Sequence, residues 1–97
     1  MDTYVILRRI GWRTVEDRQE AAARSTAEGE RMPDDIAWIR SYVLGEVDGS
    51  VGTVCIYQAS SPEAIRAHAE RADLPVDEIV KVADTVIVRP DPLPAVA

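Results

Sequence analysis

Five residues in one stretch of the chain have the side chains best suited to bind or transform a small molecule. The stretch is WIRSYVLGEVDGSVGTVCIYQ, residues 38–58, and the five are Trp38, Arg40, Tyr42, Cys55 and Tyr57. An enclosed arginine binds anions or stacks on an aromatic ring, and a tyrosine hydroxyl can transfer a proton. The same aromatic residues are typical of protein interfaces, so the pattern favours either a ligand site or an interface core.

Local signals predict the elements that position these residues, in the order β-α-β-β-α-β. Residues 3–9 are rich in β-branched and apolar side chains, Thr14 can cap a helix over about 15–28, and Ser61 followed by proline begins a second helix. The last strand is drawn from DEIVKVADTVIVRP, residues 77–90, where TVIV at 85–88 is the best core run and Pro90 ends it. Two βαβ crossovers joined by a hairpin predict an α+β ferredoxin-like fold, a four-stranded antiparallel sheet with both helices on one face.

The quoted stretch reads as the central hairpin. The Asp-Gly pair at 48–49 predicts a two-residue type I′ turn, which needs positive φ at both central residues. With that turn, Tyr42 lies opposite Cys55 and Arg40 lies opposite Tyr57, and these two pairs share one face of the sheet.

The two faces of this hairpin are predicted to have different roles. The aliphatic side chains expected under the helices are Ile39, Val43, Val54 and Ile56. The opposite face, with the five residues named above, is too apolar to be left in water. We therefore expect a homodimer that packs two sheets face to face and encloses a cavity lined by Trp38, Arg40, Tyr42, Cys55 and Tyr57.

His68, the only histidine, falls one turn after Ile65 on the second predicted helix, where we expect a hydrogen-bonded structural residue. Nothing in the sequence supplies a base or cation to activate Cys55, which reads as a small buried hydrophobe. On the predicted faces, Cys55 and His68 point to opposite sides of the sheet. They are therefore not expected to form a metal pair within one subunit.

Length and composition exclude several classes of protein. The 97 residues allow one domain, predicted over residues 1–89, followed by a Pro-rich tail over 90–97. A net charge of −6 opposes nucleic-acid binding. No apolar run could span a bilayer, the N-terminus lacks the pattern of a signal peptide, and a single cysteine favours a reducing compartment. We therefore expect a cytoplasmic protein with no nucleic-acid or membrane partner.

Three motifs, WIRSYV (38–43), CIY (55–57) and EAIRAHAERADLP (63–75), resemble a family of small bacterial nickel-binding-like proteins, formerly a domain of unknown function. The resemblance extends from Tyr4 to about Val88 and implies a dimeric ferredoxin-like fold. It also implies nickel, although Arg40 stands where the family typically has a histidine and Leu7 where it has an acid. A permanent cation disfavours a divalent metal at that place and favours an anion.

If a metal binds, the resemblance leaves His68 and Cys55 as donors, with acids such as Asp34, Asp35 or Glu63. The first functional hypothesis is thus a non-catalytic homodimer that holds a transition metal or a small ligand. The alternative is a cofactor-free enzyme, by analogy of fold alone, with Arg40, Tyr42 and Cys55 as candidates for anion binding and proton transfer. A structural interaction module is a third hypothesis.

Overall fold

The structure is a computed structural model, and it describes residues 1–93. Its elements, in chain order, are β1 (Asp2–Trp12), α1 (Val15–Glu30), β2 (Ile36–Gly45), β3 (Val51–Ala59), α2 (Pro62–Ala72) and β4 (Glu78–Lys81). The strands form one antiparallel sheet in the order β2-β3-β1-β4. Both helices cover the same face, because Ser25 of α1 and His68 of α2 contact the same side chain of β3, Tyr57. The predicted ferredoxin-like architecture is confirmed.

Both helices begin where their capping residues predict. The Thr14 hydroxyl accepts a hydrogen bond from the amide of Asp17 at 3.1 Å, and the Ser61 hydroxyl accepts one from the amide of Ala64 at 3.1 Å. Each cap satisfies an amide that has no partner inside its helix. The residue at which each helix begins is therefore determined by a local signal in the sequence.

The helix-covered face of the sheet carries the core. Its largest apolar members are Tyr4 and Ile6 of β1, Tyr57 of β3 and Ile65 of α2, all at most 4% exposed. Tyr4 and Ile6 alternate with side chains on the other face, so the next residue of the same set is Arg8. Strand β1 therefore carries a charged side chain into the helix-covered side of the sheet.

The prediction of a two-residue type I′ turn between β2 and β3 is wrong, and the strand register differs from the predicted one by one residue. Five residues, 46–50, separate the paired ends of the strands, and the Glu46 amide donates to the Ser50 carbonyl at 3.0 Å. Gly49 has φ +88°, so the Asp-Gly pair does form part of the turn. The longer loop pairs Tyr42 with Val54 rather than with Cys55.

This one-residue shift reverses the predicted faces. Side chains alternate with a period of 2, so a shift of one residue joins the Arg40 and Tyr42 face of β2 to the opposite face of β3. Cys55 and Tyr57 are buried under the helices, whereas Val54 and Ile56 lie on the face that the helices leave open. The prediction that the five residues line one cavity is wrong, because Arg40 and Tyr42 lie on the open face.

A bulge in β2 moves Trp38 to the helix-covered side. The register changes between Trp38 and Arg40, because Trp38 pairs with Tyr57 while Arg40 pairs with the neighbouring Ile56. The extra residue in the bulge, Ile39, offsets the shift caused by the loop. Trp38 consequently stacks on Tyr57, with 6.1 Å between ring centroids and 18° between ring planes.

A second irregularity lies between β1 and β3. Arg8 pairs with Thr53 and Trp12 pairs with Val51, so three residues of β1 lie opposite the single residue Gly52. A Cβ atom at Gly52 would lie 2.5 Å from the Arg8 carbonyl oxygen, closer than van der Waals contact allows. Glycine therefore permits the close approach of the strands, although the sequence pattern suggests a turn residue there.

The last strand lies within the predicted segment 77–90 but at its beginning, so the preference for TVIV as its core run is wrong. Strand β4 ends at Lys81, and residues 82–93, which we call the C-terminal arm, have no regular secondary structure. Within the arm, Val86, Ile87 and Val88 are 79–83% exposed. The domain boundary at residue 89 stays a prediction, and residues 94–97 of the Pro-rich tail lie outside the described residues. No helix in residues 1–93 is long and apolar enough to cross a membrane.

Candidate functional site

The space between α1 and the sheet forms a small cavity, which we call the helix-side pocket. Its volume is about 30 Å³, and its lining includes Trp38, Cys55 and Tyr57 together with the less expected residues Arg8, Arg18 and Ser25. Trp38 is 40% exposed, so the pocket has an edge at the protein surface. Three of the five residues predicted to bind a ligand thus lie together, although on the helix-covered side of the sheet.

Tyr57 and Ser25 form the hydroxyl part of this pocket. The Tyr57 hydroxyl and the Ser25 Oγ are 2.9 Å apart and buried. Burial raises the pKa of Tyr57 above its ordinary value, while the hydrogen bond with Ser25 and the nearby Arg8 charge act in the opposite direction. A raised pKa keeps the phenol protonated, so Tyr57 can donate a hydrogen bond but is poorly suited to act as a base.

Cys55 and His68 lie on the same side of the sheet, which corrects the prediction that they face opposite sides. The Cys55 thiol is buried and lies 3.3 Å from the Thr53 hydroxyl. His68 is 1% exposed, its ring lies 5.7 Å from that of Tyr57, and its Nε2 donates to the Ser25 carbonyl at 2.9 Å. This hydrogen bond requires the Nε2–H tautomer and leaves Nδ1 without a proton when the ring is neutral.

Burial lowers the pKa of His68 below its ordinary value, and the Arg8 charge acts in the same direction. The hydrogen bond to Ser25 and the charge of Glu28 act against it. The imidazole is therefore neutral near pH 7, which is the form that binds metals. Residues 1–93 nevertheless contain no cluster of three or more His, Cys, Asp or Glu side chains that could hold a metal ion.

Arg8 is the buried charge of the pocket. It is 1% exposed, and its Nη1 donates to the Pro75 carbonyl at 2.6 Å, while its Nη2 is buried and lacks a partner within residues 1–93. An unpaired buried charge costs several kcal/mol after relaxation, on the order of the whole stability margin of a small domain. Arg8 is not among the site residues predicted from the sequence, although its alternation with Tyr4 and Ile6 in β1 is a signal that indicates a shared face.

Arg40 and Tyr42 form a separate site on the open face. Arg40 forms an ion pair with Asp91 of the C-terminal arm, and the Tyr42 hydroxyl donates to the same carboxylate at 2.9 Å. The arm crosses the open face and leaves a broad gap of about 1110 Å³ above Ile39 and Ile56. A carboxylate of the chain itself thus takes the anion position that the sequence assigned to an external ligand of Arg40.

The sheet order and the two helices over one face define the class, a ferredoxin-like α+β protein. Residues 4–82 match the family described as nickel responsive protein SCO4226-like, so the chain belongs to that family. The resemblance seen in the sequence motifs is thereby confirmed.

The fold is similar to the crystal structure of SCO4226 from Streptomyces coelicolor A3(2), with a TM-score of 0.68 and 19% sequence identity. The match covers 87% of this chain and 99% of the other. At that identity the likeness supports the fold alone. No curated protein sequence matches the chain significantly.

Proposed function

We propose that this chain is a small, non-catalytic binding protein that holds a small ligand in the helix-side pocket. The observation that carries the proposal is the buried Arg8 with an unused N–H group, in the same cavity as Trp38, Cys55 and Tyr57. A buried polar group without a partner is rare in a folded protein, and a ligand or ordered water is the usual explanation. The cytoplasmic location of the protein stays a prediction.

Nickel fits the described residues poorly. The family name refers to a response to nickel, yet Cys55 and His68 have no third donor in a common cluster within residues 1–93. The Nε2 of His68 is engaged by the Ser25 carbonyl, and Arg8 lies close enough to lower the pKa of the same ring. A nearby permanent cation repels a divalent metal, so we do not assign nickel to the helix-side pocket.

The homodimer remains part of the proposal, with the open face as its interface. That face carries Val54 and Ile56, and beside it the C-terminal arm leaves Val86, Ile87 and Val88 exposed. Two copies of the same apolar sheet face are complementary to each other across a two-fold axis. The dimer would therefore cover apolar surface that a monomer leaves in water.

The alternative of a cofactor-free enzyme has less support. Tyr42 is engaged by Asp91, and the raised pKa of Tyr57 disfavours its use as a base. Arg40 and Tyr42 are also separated from Cys55 by the thickness of the sheet. The acid, base and anion-binding groups named for catalysis therefore do not converge on one point.

Native mass spectrometry of the purified chain, before and after chelation and nickel addition, tests the proposal. We expect a dimer that carries a small additional mass, keeps it on chelation and gains no fixed number of nickel ions. Ala22→Leu, which places a larger side chain in the pocket lining, should remove that mass. Ala23→Leu on the exposed neighbour in α1 is the matched control and should retain it. Stoichiometric nickel, or a mass retained in both variants, would overturn the pocket assignment.

A further inference from the structure

The buried positive charge of Arg8 needs a negatively charged partner, and residues 1–93 do not supply one. Within residues 1–93, no carboxylate lies within 4.0 Å of its guanidinium. Its neighbours are uncharged: the Pro75 carbonyl accepts from Nη1, and the Tyr57 hydroxyl lies close enough for Arg8 to lower its pKa. A guanidinium cannot escape the cost of burial by losing its proton. The remaining way to balance this charge is an anion that accepts a hydrogen bond from Nη2.

Arg18 places a second cation on the same cavity. It projects from α1, and its Nε is buried without a partner within the described residues. No Asp or Glu side chain contributes to the described lining. Two cations that line one small cavity repel each other, and a negative charge between them offsets that repulsion. The arrangement therefore selects against metal cations and for anions.

The hydroxyl pair adds a hydrogen-bond donor to this lining. Tyr57 and Ser25 share one hydrogen bond, which uses only one of their two hydroxyl protons. The other proton is available to an acceptor in the pocket. A volume of about 30 Å³ limits the bound group to a few non-hydrogen atoms, while any larger remainder of a ligand would extend past Trp38.

From these three observations we propose that the ligand of the helix-side pocket is a small oxyanion, a carboxylate or a phosphate group, held by Arg8 and Arg18. This inference rests on the proposed function and names the chemical class of its ligand. The planar fork of an arginine matches the two oxygens of a carboxylate, and it also pairs with phosphate.

Thermal unfolding of the full chain in sodium acetate, sodium phosphate or acetamide, at constant ionic strength set with sodium chloride, tests the ligand class. Acetamide is nearly the same shape as acetate but has no charge. We expect acetate or phosphate to raise Tm progressively with concentration, since a ligand at a hundredfold excess over Kd raises the folded-to-unfolded ratio about a hundredfold. A response to acetate alone identifies a carboxylate, and a response to phosphate alone identifies a phosphate group.

Arg8→Met and Arg18→Met should each abolish the anion response, while the matched control Arg13→Met, outside the lining, should keep it. Without added anion, Arg8→Met should be at least as stable as the parent, because it removes an unpaired buried charge. If Arg8→Met does not fold, the Arg18→Met result and the comparison of acetate with acetamide decide the question.

Equal shifts with acetate and acetamide, or a response that survives Arg8→Met, would overturn the oxyanion assignment. If an uncharged molecule binds and Ala22→Leu blocks it, the helix-side pocket is confirmed as the binding site, but the assignment of an oxyanion as its ligand is wrong. If no anion shifts Tm and the purified protein carries no mass sensitive to Ala22→Leu, both proposals fall.

Discussion

Arg8 and Arg40 lie on opposite faces of one sheet, with β3 between their strands, and have opposite electrostatic surroundings. Arg40 is half-exposed and neutralised by Asp91, so it needs no external anion. Arg8 is buried and lacks a carboxylate partner within residues 1–93. Burial strengthens electrostatic interactions because the local dielectric is low. The buried arginine is thus the better candidate for binding an anion.

His68 is expected to make folding stability depend on pH. Because its folded pKa lies below the unfolded value of 6.5, the unfolded chain binds a proton more readily. The His68 contribution is fully present above that value and is lost as the pH falls towards the folded pKa. Urea unfolding between about pH 8 and pH 5 should show this loss.

The groups facing His68 are the Ser25 carbonyl, the Glu28 carboxylate, the Arg8 guanidinium and the Tyr57 ring, whose phenol is protonated throughout this pH range. His68→Gln removes the titrating ring and should flatten the pH dependence in this range. An equal slope in the parent and in His68→Gln would show that other groups cause it.

At the scale of elements, irregularities in the strands decide which side chains meet. The loop at 46–50 and the bulge at Ile39 together place Trp38, but not Arg40, on the helix-covered side. The irregularity opposite Gly52 occurs where β1 brings Trp12 to the lining of the pocket. The loop and the bulge at Ile39 each change the face of the residues beyond them, since strand side chains alternate. The irregularity opposite Gly52 shifts the register of β1 by two residues, so Trp12 stays on the same face as Arg8.

Gly52→Ala is expected to destabilise the fold by about 1–3 kcal/mol, the usual range for forcing extra volume into a packed site. The added Cβ would meet the backbone of β1 at 2.5 Å, and backbone cannot rotate away. Gly45→Ala, at the end of β2, is the matched control, because its Cβ would meet nothing within 4 Å. Chemical denaturation of both variants measures the difference. A loss no larger than in Gly45→Ala would contradict the close approach of β1 and β3.

At the scale of the whole molecule, the sheet has one face covered by helices and one that, within residues 1–93, is crossed only by the C-terminal arm. The arm contacts Arg40 and Tyr42 through Asp91, and its three consecutive apolar residues at 86–88 remain exposed. A segment that is tied to the sheet at Val82 and Asp91 and carries an exposed apolar stretch between them is suited to pack against a second copy. The interface of the proposed dimer therefore includes both the open face of the sheet and the C-terminal arm.

Val54→Asp should shift the dimer to a monomer, because it places a charge in the centre of the proposed interface. Val47→Asp is the matched control, since Val47 is fully exposed in the hairpin loop. Light scattering after size-exclusion chromatography measures the mass, and circular dichroism verifies the fold. A folded Val54→Asp dimer, or a parent protein that is already a monomer, would contradict this interface.

Local sequence signals determined the order of elements, the caps at Thr14 and Ser61, and the apolar line of α2 through Ile65. These depend on neighbouring residues, whose spacing the sequence displays directly. The same signals favoured TVIV for the last strand. Strand β4 instead forms at residues 78–81, because pairing with β1 outweighs the intrinsic preference of an apolar run.

Only the tertiary structure decided which residues share the pocket. Alternation in β2 and in β3 was evident separately, but their relative face depended on a one-residue register shift at the loop and on one bulged residue. The same holds for Arg8 and Arg18, which β1 and α1 bring to one cavity from positions ten residues apart. Their juxtaposition depends on how a helix packs over a sheet, and no periodicity within either element encodes that distance.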